Sequence, residues 1–145
     1  MKKVAKNLAE TSEIAHQVLE SILSGLSDRA LVLGLSGDLG AGKTAFTQAL
    51  ASHLGVGEQV QSPTFVLMKK YDLKNQKHST LYHLDVYRLE KEQELLDLGW
   101  LDIISNEKNL VIIEWPEKVM GVMPEDARYL YIKNGDDESR IFELK

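Results

Sequence analysis

The sequence predicts an α/β fold: one domain with a mixed, mostly parallel sheet flanked by helices, antiparallel strands in the middle of the chain and a C-terminal hairpin. Three observations predict it. Short apolar runs, "ALVLGLS" at 30–36 and "LVII" at 110–113, have the length and the glycine or polar boundaries of strands buried on both faces. Segments with helical spacing of apolar residues alternate with such runs, the pattern of a partly parallel sheet. Near the end, "YLYIK" and "RIFELK" flank the polar "NGDDES" and read as an antiparallel hairpin. A chain of 145 residues suits one domain with one core.

The elements follow in order. Ile14, Ala15, Val18, Leu19, Ile22, Leu23 and Leu26 recur at helical spacing, which predicts a packing helix over 12–26 with Thr11 as N-cap and Gly25 near its end. The strand at 30–36 comes next. A second helix is expected from about Gly42, with Phe46, Ala49, Leu50 and Leu54 on one face and Gly55 as a left-handed cap. "TFVLMKKYDL" reads as a strand, "KNQKHS" as a turn, and "TLYHLDVYRL" as a further extended segment. Alternation in that segment puts Leu81, His83, Asp85 and Tyr87 on one face and Thr80, Tyr82, Leu84 and Val86 on the other. "EKEQELLDL" is helical and stopped by Gly99; the strand Leu110–Ile113 ends at Glu114 and is broken by Pro116.

Composition narrows the function. A formal charge of -5 argues against strong unaided binding to nucleic acid, whose affinity rests on Lys and Arg neutralising phosphates. Cysteine is absent, which excludes disulfides and thiolate metal sites. The first twenty residues lack the apolar stretch of a signal peptide, and no run approaches a membrane helix, so a cytoplasmic protein with no membrane partner is expected.

The most informative stretch is "LGLSGDLGAGKTAFTQAL", residues 33–50, which contains Gly37-x-x-x-x-Gly42-Lys43-Thr44. This is the phosphate-binding loop motif, and it stands where it must, after a buried strand and before an amphipathic helix. Glycines let the backbone fold into a nest of N–H groups, and the helix N-terminus aims its amides and dipole at the same point. Lys43 can then reach the β- and γ-phosphates and the Thr44 hydroxyl can hold Mg²⁺. The fold class is therefore that of the P-loop NTPases.

Hydrolysis or transfer also needs carboxylates that hold the metal and orient water. Glu114 leaves the C-terminal end of its strand, the edge where ligands sit in parallel α/β sheets; the alternative is a solvated strand-end glutamate. Asp85 interrupts an apolar extended segment and needs a partner or a cation; the alternative is a hydrogen-bonded structural aspartate. His83 shares the Asp85 face, where it either orients that residue, contacts substrate or, the plainer reading, is a satisfied structural histidine. Trp115 either shields the site or stacks on a base, with core packing favoured from residues alone. Thr64, in "SPTF", sits where switch segments present a hydroxyl to Mg²⁺ or the γ-phosphate; Pro63 makes the segment before it extended.

Together "SGDLGAGKT", "SPTF", "YHLDVYRL", "ELLDLGWLD" and "VIIEWPEK" resemble, in order and spacing, the TsaE (YjeE) family of small bacterial P-loop ATPases of tRNA threonylcarbamoyladenosine biosynthesis. The resemblance covers about residues 8 to 144. It implies binding of ATP with Mg²⁺, slow hydrolysis, and association with a TsaB–TsaD pair that transfers the threonylcarbamoyl group to adenosine 37 of tRNA. On this view hydrolysis resets the complex, and tRNA is met only indirectly through it. The loop and first helical turn, from Asp38 through Leu39, Gly40, Ala41, Gly42, Lys43 and Thr44 to Ala45, would hold the nucleotide with Thr64 and Trp115. Ala45 stands where many members have a second threonine. Thr44 and Asp85 would surround the metal, and Glu114 would contact Mg²⁺ or orient the attacking water. Lys43, Asp85 and Glu114 are thus the expected catalytic set.

Two other functions compete. A small-molecule P-loop kinase normally adds a lid with clustered arginines, whereas Arg29, Arg88, Arg128 and Arg140 are scattered. A non-hydrolysing nucleotide-sensing adaptor would bind ATP only to shape an interaction surface. A regulatory GTPase is disfavoured by the lack of Asn-Lys-x-Asp and Asp-x-x-Gly motifs.

Overall fold

The computed structural model describes residues 1–25, 27–38, 40–57 and 67–145. Its strands are β1 (Lys2–Ala5), β2 (Leu31–Ser36), β3 (Met68–Asp72), β4 (Thr80–Asp85), β5 (Asn109–Glu114), β6 (Arg128–Asn134) and β7 (Arg140–Leu144). They form one sheet in the order β1-β7-β6-β2-β5-β4-β3. The central four, β6-β2-β5-β4, are parallel. The antiparallel pairings lie outside them, β3 on β4 at one edge and the β6–β7 hairpin with β1 at the other.

Alternation along the strands sorts side chains into two cores. Leu33, Leu35, Leu81, Leu110 and Ile112 pack with α1 (Leu8–Leu23) and α2 (Lys43–His53) on one face. Val32, Leu84, Val111 and Ile113 pack on the other with Leu95 of α3 (Glu92–Leu96) and Trp100 and Ile103 of α4 (Trp100–Ser105). Every residue of β5 is buried, as a central parallel strand covered on both faces requires. Gly34 is needed where Pro116 and Tyr129 close over β2: a Cβ there would stand 2.9 Å from a carbon of each. Among the described residues no helix is long and apolar enough to cross a membrane.

Several boundaries differ from expectation. The first helix starts a turn earlier, at Leu8, because Asn7 Oδ1 accepts the Glu10 amide at 2.8 Å and caps it; Thr11 is instead a buried helical residue. Leu26 lies outside the described residues. The 80–89 segment is a strand only to Asp85, whose Oδ1 accepts the Tyr87 amide at 3.0 Å and turns the chain. Gly99, with φ of 88°, both follows α3 and begins α4, a short helix that apolar spacing did not announce. β1 was also unforeseen: its first three residues are exposed, and their lysines mark an edge strand. Of "TFVLMKKYDL", the segment Met68–Asp72 is strand, and its first three residues lie outside the described set.

Candidate functional site

Register brings the site together. In the parallel ladders Asp85 of β4 is opposite Glu114 of β5, and Glu114 is opposite Leu35 of β2, one residue before that strand ends. Three neighbouring strands therefore finish at one level, and the glycine loop springs from β2, the fourth strand of the seven. Asp85 and Glu114 have the parity of Leu81 and Leu110, so both lie on the α2 face.

The loop is shaped by close approach and by backbone conformation. Gly37 lies against β6, where a Cβ would run into the Ile132 carbonyl oxygen. Gly40 and Gly42 have φ of 79° and 104°, the left-handed region that suits glycine. The Ala41 amide donates to the Asp38 carbonyl at 3.0 Å, closing the turn. Gly42 is the N-cap of α2 and supplies no side chain, which leaves the first amides of the helix for an anion.

Gly40, Gly42, Lys43, Thr44, Asp85, Glu114, Trp115 and Arg140 line one cavity of about 310 Å³. A larger open cleft, about 530 Å³ and lined by Ser27, Arg29, Lys77 and Glu107 among others, sits at the opposite, N-terminal ends of the parallel strands, away from the loop. Lys43 is 6% exposed; its ammonium donates to the Gly37 carbonyl and, at 3.1 Å, to the Asp38 carbonyl, and lies 4.1 Å from the centre of the Trp115 ring. Trp115 itself, with φ of 63°, meets the Tyr87 ring at 4.8 Å in a tilted contact and packs at the border of the second core, so it is both a core residue and a wall of the cavity. Glu114 is buried, and its Oε2 accepts from His83 Nε2 at 2.7 Å.

Burial dominates the electrostatics of the site. Burial pushes the Lys43 ammonium below its ordinary value, against the opposing pull of Glu114, Asp85, Glu117 and Asp38. Burial likewise pushes the Asp85 carboxyl above its ordinary range; the hydrogen bond from Tyr87 opposes this, the charge of Glu114 adds to it, and His83 and Lys43 oppose it. A phosphate anion would relieve the first shift and a divalent cation the second. The oxygen donors in reach, two carboxylates and the Thr44 hydroxyl, suit Mg²⁺, which takes one or two carboxylates and completes its shell with phosphate and water.

Of the expected site residues, Gly40, Gly42, Lys43, Thr44, Asp85, Glu114 and Trp115 meet at the cavity. Asp38 and Ala41 shape the loop, and Ala45 lies in the first turn of α2. Leu39 and Thr64 lie outside the described residues. Two neighbours were not singled out as site residues. Arg140, one of the scattered arginines, starts β7 and donates to the Gly40 carbonyl at 2.8 Å. His83 is wholly buried and bonds Glu114 rather than Asp85; only its place beside Asp85 on the strand hinted at a role.

A glycine loop between a buried strand and a helix, faced by two carboxylates from adjacent strand ends, defines a P-loop protein of the α/β class. Comparison with known proteins narrows this. A family model described as "Threonylcarbamoyl adenosine biosynthesis protein TsaE" matches residues 5–142. The "tRNA threonylcarbamoyladenosine biosynthesis protein TsaE" of Bacillus subtilis is 44% identical over 111 residues, 76% of this chain and 66% of that protein. The protein of the same name from Rickettsia bellii is 31% identical over 138 residues, 94% of this chain and 92% of its own length. A crystal structure of Bacillus subtilis YdiB superposes with a TM-score of 0.73 at 28% identity, covering 99% of this chain and 83% of that one. The chain belongs to the TsaE family, which is involved in tRNA threonylcarbamoyladenosine biosynthesis.

Proposed function

We propose that this protein is a Mg²⁺-dependent ATP-binding and ATP-hydrolysing subunit that supports threonylcarbamoylation of tRNA adenosine 37 by driving the cycle of a TsaB–TsaD complex in the cytoplasm. The observation that carries the reading is the convergence of Lys43, Thr44, Asp85 and Glu114 on one cavity at the mouth of the glycine loop.

Loop amides and the N-terminus of α2 bind the phosphates, and Lys43 exchanges its carbonyl partners Gly37 and Asp38 for phosphate oxygens. Thr44 and Asp85 hold Mg²⁺, which supplies charge neutralisation on the phosphate oxygens. Glu114 orients the attacking water or joins the metal shell, and Trp115 excludes solvent above Lys43. Arg140 adds a second cation beside Gly40. The acidic chain meets tRNA only through its protein partners.

The test is steady-state ATP hydrolysis with and without a TsaB–TsaD pair, for the wild type and Glu114→Ala. Stimulation by the partners and a loss of about 100-fold or more in the variant are expected for a group that handles the water. An unaffected variant favours the non-hydrolysing adaptor; phosphoryl transfer to a small molecule favours the kinase.

A further inference from the structure

The buried imidazole beneath the cavity has a second reading besides core packing. His83 has no exposed surface, and its Nε2 lies 2.7 Å from Glu114 Oε2. Among the described residues its Nδ1 is buried without a hydrogen-bond partner. Core packing alone would favour an apolar residue here, because a half-satisfied polar ring inside a core costs free energy. The ring also reaches the one carboxylate that ends β5 at the cavity.

We infer that His83 is the positioning residue of Glu114: its Nε2–H donates to Oε2, occupies that oxygen, and leaves Oε1 as the one turned to the phosphates. This rests on the hydrolytic reading above and deepens it. A carboxylate only accepts, so the nitrogen that faces it must carry a hydrogen, and Nε2 is that nitrogen. An unheld glutamate at a strand end samples several rotamers. One clamped from beneath keeps its free oxygen in place, as second-layer histidine and carboxylate partners do in metal and hydrolytic sites. The strand pairing makes this robust: His83 is opposite Ile112 in the ladder, two residues before Glu114, so the ring approaches the carboxylate from within the sheet.

The test has two readouts. Nitrogen NMR of the imidazole in the intact protein should report a hydrogen held on Nε2, a signature that changes in Glu114→Ala; a bare Nε2 overturns the inference. In kinetics, His83→Leu, folded as judged by its melting curve, should lose about 10- to 100-fold in kcat with ATP affinity within about twofold of the wild type. His83→Gln, which returns an N–H near the position of Nε2, should recover much of that loss. A purely structural histidine predicts the reverse pattern, a lowered melting temperature with kcat unmoved, and that result overturns the inference. If Glu114→Gln itself turns over ATP as fast as the wild type, the hydrolytic reading falls and the positioning role falls with it, whatever the tautomer. If Glu114→Gln is slow but His83→Leu is not, only the inference about His83 falls.

Discussion

Gly37 and Gly40 belong to one loop but are glycine for different reasons, and substitution separates them. Gly37 has an ordinary φ and no room: an added methyl meets the Ile132 carbonyl oxygen of β6 and stands 3.3 Å from the Ala41 Cβ. Neither neighbour is the end of a flexible chain, so the loop must lift off β6. Such overpacking costs about 1–3 kcal/mol. Gly40 has φ of 79° and nothing within 4 Å of an added Cβ, so alanine there suffers only the left-handed backbone, about 1–2 kcal/mol. For a chain of this length the unfolding entropy is about 0.3 kcal/mol per kelvin, which turns these costs into falls in Tm of about 3–10 °C and about 3–7 °C. The ranges overlap, so asparagine decides. It tolerates the left-handed region and is bulkier than alanine, so Gly40→Asn should melt closer to wild type than Gly40→Ala, while Gly37→Asn melts lower than Gly37→Ala. Scanning calorimetry with ATP titration of each variant gives the measurement, and Gly37→Ala should also weaken ATP because the Gly37 carbonyl and its neighbours move. A Gly37→Ala protein that melts and binds ATP like the wild type would refute the argument that the loop is docked on β6.

Two further outcomes follow from the same geometry. Asp85 has a folded-state carboxyl raised by burial, so its contribution to stability is present at low pH, below the unfolded value, and is lost as pH rises through the folded value. Asp85→Asn should therefore raise Tm at pH values above the folded value, with the gain disappearing in acid, as melting curves at several pH values check, and should weaken the Mg²⁺ dependence of ATP binding measured by calorimetry. Arg140→Ala should weaken ATP by about tenfold or more, the worth of a charge-assisted hydrogen bond, and flatten the salt dependence of binding measured by calorimetry.

What was legible in the sequence was local. The order strand, glycine loop, Lys43-Thr44, helix needs only neighbouring residues, and burial on both faces wrote most of Leu31–Ser36 and the middle of Asn109–Glu114 as apolar runs. Glu114 was readable because it ends an apolar run and Asp85 because it interrupts an apolar extended segment, whereas the stop of that strand at Asp85 was not. Arg140 was not, since it reaches Gly40 across one hundred residues through the pairing of β7 with β6, and no local pattern encodes that approach. The first helix began earlier than expected because Asn7 outcompetes Thr11 as a cap, a choice made by φ and ψ before the helix rather than by apolar spacing. His83 was placed on the correct face, but which carboxylate it serves depends on the neighbouring strand.

The same register governs core and chemistry. Leu81 and Leu84 of β4 are both fully buried and belong to opposite cores, so a slip of one residue against β5 would exchange their faces and drive His83 and Asp85 toward α3 and α4. Burial therefore selects the one pairing in which Asp85 stands beside Glu114 and both face α2. The polar residues of the site lie on the strand side chosen by their apolar neighbours, and the loop between β2 and α2 opens above them because β2 is paired in step with β5. A substitution deep in β4 that loosens that register, such as Leu81→Ala, should consequently disturb the spacing of the two carboxylates as well as the core, a coupling that no alteration of an exposed α1 residue such as Glu13 would produce.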